Sequence, residues 1–169
     1  MKKIDCSVCG SKAAVVRGRY RFSESGLSNV VVNGIELVSC PKCHNIDPII
    51  PRMNDLMLLL ALAVVAQPYR LKGEHVRYLR KYLEMSGVEF SRLIHVDKAT
   101  LSKWENNDDA IGEQSDRLIR AVTLALGDGM KAKLEQVVRS FPKIQGSRDV
   151  RIEIDPQTKS YHYFTGRRN

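Results

Sequence analysis

The sequence predicts an α+β chain in four parts: a small N-terminal β module over residues 1–52, an apolar linking helix over 53–69, an all-α domain over 70–143, and a terminal β-hairpin with a basic tail over 144–169. Three observations predict it. Two Cys-x2-Cys pairs enclose a 30-residue stretch with strand-like alternation. A continuous apolar run, Leu56–Ala66, stops at Pro68. From Glu74 to about Phe141, apolar residues recur at helical spacing.

Whole-chain properties narrow the function classes. A length of 169 residues allows one or two domains, each with a modest core. A formal charge of +8 and a pI near 9.5 favour a polyanionic partner. The opening MKKIDC has no apolar run behind its lysines, so no secretory signal is expected there. The run 56–66 is too short for a bilayer, which needs roughly 20 residues. Cysteines in tight pairs without such a signal point to a reducing, cytoplasmic compartment and to a metal rather than disulfides.

The first module begins Cys6-Ser-Val-Cys9-Gly10 and closes on Cys40-Pro-Lys-Cys43. Each Cys-x2-Cys can wrap a tight turn around one ion, with its backbone N–H groups aimed at the thiolates, and two such turns complete a tetrahedral S4 site. Structural Zn2+ on Cys6, Cys9, Cys40 and Cys43 is the reading; a redox dithiol or a disulfide is the alternative. His44 is read as a bystander, and with four thiolates no ligand position is left open for catalysis. Between the pairs, Ser28–Val32 and Ile35–Ser39 flank Asn33-Gly34, a strong hairpin signal, and an earlier strand is expected near Ala13–Phe22. So small a module has little core, and the ion must supply folding energy.

Pro48 and Pro51 bracket a rigid connector, after which Met53-Asn54-Asp55 starts a helix that is apolar nearly all round. Such a helix is either sandwiched between the two modules or packed on a second copy, and a part in dimerisation is expected. In the helical domain, Glu74–Met85 places Val76, Leu79 and Leu83 on one face, and Gln114–Leu126 is expected to bury Leu118, Ile119, Val122 and Leu126. A last helix, capped by Asp128, runs to about Phe141.

Between them lies the most informative stretch, Val88–Asn107. Phe90, Leu93 and Ile94 share one face of a short helix. His95-Val96 makes a turn, and Asp97 is placed to N-cap a second helix from Lys98 to about Glu105. There Leu101 and Trp104 point inward, which leaves Lys98, Ala99, Ser102 and Lys103 outside. A short helix with small, hydroxyl and cationic residues on its free side suits a DNA major groove; a helical hairpin in an unrelated all-α domain is the alternative. Charge supports the first reading. Arg70–Lys103 holds eight Lys/Arg against four Asp/Glu, whereas Trp104–Asp128 holds two against six.

These residues carry a resemblance. Leu79–Asn107, most sharply Val96-Asp97-Lys98-Ala99-Thr100-Leu101-Ser102-Lys103-Trp104-Glu105-Asn106, resembles the Cro/cI-type (XRE) helix-turn-helix, a five-helix fold. The N-terminal half is similar to the MqsA-type (YgiT-type) zinc-finger antitoxins in its Cys pairs, Glu24-Ser25-Gly26-Leu27, Gly34-Ile35 and the Ile50-Pro51-Arg52 link. The two likenesses together cover about residues 6–127. They imply a homodimeric transcriptional repressor on a palindromic double-stranded DNA operator, with a cognate RNase-like toxin as a possible partner of the zinc module. The base-reading positions fall on Lys98, Ala99 and Lys103, with Thr100 and Ser102 near phosphates. Three positions depart from the pattern: Gly87 stands where a phosphate-touching Gln is usual, His95 where the turn usually has Gly, and Ser91 where the second helix usually buries Ala. His95 must accept φ > 0 or reshape the turn.

The tail lies outside the resemblance. Val150–Ile154 and Ser160–Phe164 alternate around a turn at Asp155-Pro156-Gln157-Thr158, and Arg167-Arg168 follow. A lone hairpin is marginal in water, so it should dock on its own chain, a dimer mate or a partner. Tyr161 and Tyr163 are read as a packed aromatic strand; stacking on single-stranded nucleic acid is the alternative. An enzyme is not expected, for there is no Gly-rich phosphate loop and no nucleophile–base pairing.

Overall fold

The computed structural model describes residues 3–50 and 52–165. Pro51 of the Ile50-Pro51-Arg52 link and the basic Arg167-Arg168 lie outside the described residues. The strands are β1 (Lys3–Asp5), β2 (Lys12–Arg21), β3 (Val30–Ser39), β4 (Ile46–Ile49), β5 (Val150–Asp155) and β6 (Ser160–Thr165). The helices are α1 (Met53–Ala66), α2 (Gly73–Tyr82), α3 (Gly87–Leu93), α4 (Lys98–Glu105), α5 (Glu113–Leu126) and α6 (Leu134–Ser140). The architecture is α+β. One sheet runs β1-β2-β3-β5-β6, with β4 also on β3. Among the described residues no helix is long and apolar enough to cross a membrane.

β3 organises the sheet. One edge pairs with β2 along its length. The other edge is shared: β4 takes Glu36–Ser39 antiparallel, and β5 takes Val30–Val32 in parallel. The C-terminal hairpin β5–β6 therefore docks on its own chain and completes the N-terminal sheet.

Asn33-Gly34 does not make the expected hairpin. It is a bulge inside β3, with Gly34 at φ +68° and a register shift opposite Gly18–Tyr20. The reversal between β2 and β3 is made instead by 22–29, where Gly26 has φ +77°. Burial gives the reason. Val30 and Val32 are buried, and so are Ile35 and Leu37. That set changes parity across Asn33-Gly34, so the extra bulge residue keeps both halves of β3 facing the core. A turn at that point would have split them between two strands.

α1 takes the sandwiched position. Leu56, Leu60, Ala61, Ala63, Val64 and Val65 are buried, in an apolar cluster that runs from Val30, Val32 and Ile152 on the sheet to Leu79, Phe90, Leu101 and Ile119 on the helices. Most of the apolar surround that marked this helix as a liability is covered within one chain, with Leu58 and Leu62 left half-buried. Its C-terminal end is closed by a buried cation: Arg120, 1% exposed, donates to the carbonyls of Val65, Gln67 and Tyr69 at 2.6–2.8 Å and pairs with Asp116 at 2.8 Å. Asp116 also accepts the Leu71 backbone N–H at 2.7 Å. One carbonyl of the last turn of α1, at Val65, and two in the segment that follows it, at Gln67 and Tyr69, thus have a donor inside the apolar layer.

α5 corrects the expectation for its face. Ile119 is buried, but Leu118 and Leu126 are exposed and Val122 is half-buried. The inward face is Asp116, Ile119, Arg120, Thr123 and Leu124, spaced three and four apart. The Asp116–Arg120 pair rotated the helix away from the reading that its leucines alone would give.

Candidate functional site

The two cysteine turns are near copies of one another. In the first, Cys6 N–H donates to Ser11 O at 2.9 Å and Gly10 N–H to Cys6 O at 2.9 Å. In the second, Cys40 N–H donates to Asn45 O and His44 N–H to Cys40 O, both at 3.0 Å. Gly10 and His44 occupy equivalent places with φ +68° and +59°. His44 is therefore the left-handed residue of its turn and does not belong to the sulfur set. The turns face each other: Cys6 Sγ lies 3.6 Å from Cys43 Sγ, and Cys9 Sγ 3.6 Å from Cys40 Sγ. All four sulfurs fall within 4.8 Å of one another. A tetrahedral centre with metal–sulfur bonds of about 2.3 Å separates its sulfurs by about 3.8 Å. The four cysteines thus lie within metal-binding distance.

The surroundings act differently on the sulfurs: against the lowering Asn45 backbone N–H, burial and the adjoining Cys6, Cys9 and Cys40 sulfurs push the Cys43 thiol up to about 12, whereas two others are lowered. The backbone N–H of Ser11, then its hydroxyl, draws the Cys9 thiol down to about 6, and Cys40 is lowered by the Cys43 and Lys42 backbone N–H groups. Ser7 Oγ donates to Asp47 at 2.5 Å and ties the first turn to β4. The apolar support is slight: Cys6, Ala13, Val38 and Cys40 form a cluster separate from the main one, with Cys9 and Ile49 packed on it. This end has little buried area of its own to hold its shape.

The second candidate surface is the α3–α4 pair. Ser86 and Glu89 cap α3 reciprocally, each side chain bonded to the other's backbone N–H at 3.2 and 2.8 Å. His95 enters the turn with φ +55°, the strained option expected of a residue standing where Gly is usual. Val96 N–H closes the turn on Ser91 O at 2.9 Å. Asp97 sits at the N-cap of α4, but its side chain makes no capping bond. Leu101 and Trp104 are buried; Lys98, Ala99, Ser102 and Lys103 are exposed; Thr100 is half-buried. Phe90 and Ile94 are buried as expected, whereas Leu93 is 42% exposed, because α3 packs through the Phe90–Ser91–Ile94 side.

α4 is anchored from behind. Glu105 receives Arg80 Nε at 2.7 Å and Nη2 at 2.9 Å, and Arg77 Nη2 donates to the Glu105 carbonyl at 2.8 Å. Gly73 N–H donates to Asn107 Oδ1 at 3.0 Å, which brings α2 against the end of α4. These contacts divide the basic half of the domain. Arg70, Lys72, Arg77 and Arg80 make ion pairs with Glu113, Asp149 and Glu105. Lys81, Arg92, Lys98 and Lys103 are exposed and make none among the described residues. Sequence counting could not separate those two groups.

Compared with known proteins, the chain matches no family model, no curated protein and no solved structure. The likeness to the XRE and MqsA-type families accordingly rests on the residues named above. The C-terminal hairpin, whose docking place was open, sits on the sheet and leaves the outer side of α4 uncovered. Tyr161 and Tyr163 pack against the main cluster, and Tyr163 Oη donates to Ala63 O at 2.7 Å. They behave as the packed aromatic strand.

Proposed function

We propose that the chain is a sequence-specific DNA-binding repressor of the helix-turn-helix type, acting as a homodimer on a palindromic operator. The observation that carries the reading is the division of α4: Leu101 and Trp104 are buried, and Lys98, Ala99, Ser102 and Lys103 stand free. α3 crosses behind as the supporting helix, and α4 enters the major groove. Lys103 reaches guanine O6/N7, Ala99 offers a methyl contact to thymine, and Thr100 and Ser102 lie near phosphates. Lys98 is the third base-reading position, and Lys81 and Arg92 add the sequence-independent attraction. The Arg77/Arg80–Glu105 clamp fixes the angle at which α4 is presented.

The ion of the four-cysteine site is proposed to be structural Zn2+, which accepts four thiolates without redox chemistry. The antitoxin role, with an RNase-like toxin bound by the zinc module and autoregulation of the operon, is carried by the resemblance of residues 6–127 alone. A stand-alone regulator is the alternative, and a gene for a small basic RNase-like protein next to this one separates the two.

Binding of the full chain to its own promoter tests the reading. Lys103→Ala is expected to weaken operator binding by about 1–3 kcal/mol, with a smaller loss on unrelated DNA. Equal losses on every sequence remove the base-reading role. A dimer contacting some 6–10 phosphates loses on the order of 10³–10⁵ in affinity between about 50 and 200 mM salt; a flat salt response argues against DNA altogether.

A further inference from the structure

We infer that the cavity closed by the C-terminal hairpin binds a small amphipathic anion, an aliphatic chain ending in a carboxylate. The cavity measures about 580 Å³, within the roughly 300–1,000 Å³ usual for small-molecule sites. No single segment forms it: β3 and β4 give one wall, α1 another, and the β5–β6 turn the third. The third wall is fastened in place, since Gln157 Nε2 donates to Gly34 O at 2.9 Å, at the bulge of β3.

The interior is apolar. Ile35 and Ile49 line it from the sheet, and Leu58 and Leu62 from α1. Those two leucines stand one turn apart and are only half-buried, on a helix whose other large residues are mostly enclosed. An aliphatic chain would cover them.

The mouth has an excess of positive charge. Arg17, Arg52 and Lys159 line it, against Glu36 and Asp55. Arg52 is engaged by Asp55 at 3.6 Å. Arg17 and Lys159 are exposed and make no ion pair among the described residues. Backbone strain supplies an independent observation. Six described non-glycine residues have positive φ, and two of them, Arg52 at +55° just before α1 and Lys159 at +51° in the β5–β6 turn, line this one cavity. Side chains held in that region need a surrounding that over-determines them, and such residues cluster at ligand clamps. A carboxylate at the mouth meets unpaired cations while its chain enters the leucine-lined interior. The inference stands apart from the DNA reading, since no residue of α4 is involved.

The experiment is a methyl-detected NMR titration of the full chain with octanoate, alongside 1-octanol and octylammonium. Octanoate is expected to saturate a single site, shifting the methyl signals of Ile35, Ile49, Leu58 and Leu62, and to bind about tenfold or more tightly than octylammonium. The double charge reversal Arg17→Glu with Lys159→Glu, at two exposed positions, is expected to weaken octanoate by about tenfold or more at unchanged melting temperature. Absence of saturable shifts, shifts centred on other residues, octylammonium binding as tightly as octanoate, or indifference to the charge reversal would each overturn the assignment.

Discussion

The same substitution at two helix starts should have opposite signs. Gly73 and Gly87 are the first residues of α2 and α3, and neither has the left-handed backbone that requires glycine. A methyl at Gly87 meets nothing within 4 Å. A methyl at Gly73 would lie 2.0 Å from the Trp104 carbonyl oxygen, 2.9 Å from Asn107 Oδ1 and 3.0 Å from the Glu105 carbonyl carbon. Two of those three are backbone, so α2 and α4 must move apart. Replacing glycine by alanine in a helix gains about 0.5–1 kcal/mol in either place. At Gly73 the overpacking costs about 1–3 kcal/mol or more, and the Gly73–Asn107 hydrogen bond, worth about 1 kcal/mol, is lost as well. The net expectation is a loss of about 1–3 kcal/mol for Gly73→Ala and a gain of up to about 1 for Gly87→Ala. At roughly 2–4 °C per kcal/mol for a chain of this size, thermal unfolding followed by circular dichroism resolves both. On the proposed reading, Gly73→Ala also loosens operator binding more than binding to unrelated DNA, because α4 is displaced. Matching signs in the two variants would refute the packing argument, and so would a Gly73→Ala protein as stable as the parent.

Three other perturbations test separate parts of the molecule. Arg120→Met should cost about 3–5 kcal/mol, since it leaves Asp116 buried without its partner and strips three carbonyls of their donor; a loss below about 1 kcal/mol in urea unfolding would show that water replaces the guanidinium. His75 is fully enclosed, and burial, then the nearby Arg120 and Lys72 charges, lower its imidazole to about 3. The folded state thus resists a proton that the unfolded chain accepts below about 6.5. Its contribution is complete above that pH and is lost on acidification toward about 3, with a slope of up to about 1.4 kcal/mol per pH unit; His75→Gln should flatten that slope, and an unchanged profile contradicts the role. Chelation or Cys40→Ser should raise hydrogen exchange in 3–12 and 40–49 first, because that end has only its own small cluster; exchange that leaves those segments protected would contradict an ion-dependent site.

What the sequence disclosed and what it concealed follow one physical division. Spacing that acts locally was legible. The two Cys-x2-Cys turns converge with sulfurs 3.6 Å apart, and the outer residues of α4 stand outside, because a tight turn and a helical period are set within a few neighbours. For His95 the resemblance left two options, a positive φ or a reshaped turn, and the chain takes the first at φ +55°. Asn33-Gly34 misled because the local signal is identical for a hairpin and for a bulge; only the parity of Val30, Val32, Ile35 and Leu37 against α1 separates them. The tail was legible as a hairpin, but its seat on β3 is a parallel pairing across more than a hundred residues that no local pattern encodes.

The face of α5 is the instructive failure. Reading inward positions from leucines chooses Leu118 and Leu126, yet both are exposed while a charged pair lies within. The cause sits on another element. α1 is apolar throughout and ends at a Pro68 that cannot continue it, so its last carbonyls require donors inside the core. Arg120 is long enough to reach the Val65 carbonyl and those of Gln67 and Tyr69 just beyond the helix, and once it turns inward Asp116, one turn earlier, must turn with it to balance the charge. The unmet hydrogen bonds of one helix thus set the rotation of its neighbour. Replacing Arg120 and Asp116 together by Met and Leu removes the charge but not the need for donors at Val65, Gln67 and Tyr69. The double variant should therefore recover only part of the stability lost in Arg120→Met; full recovery would mean that the ion pair, and not the helix end, fixes the face of α5.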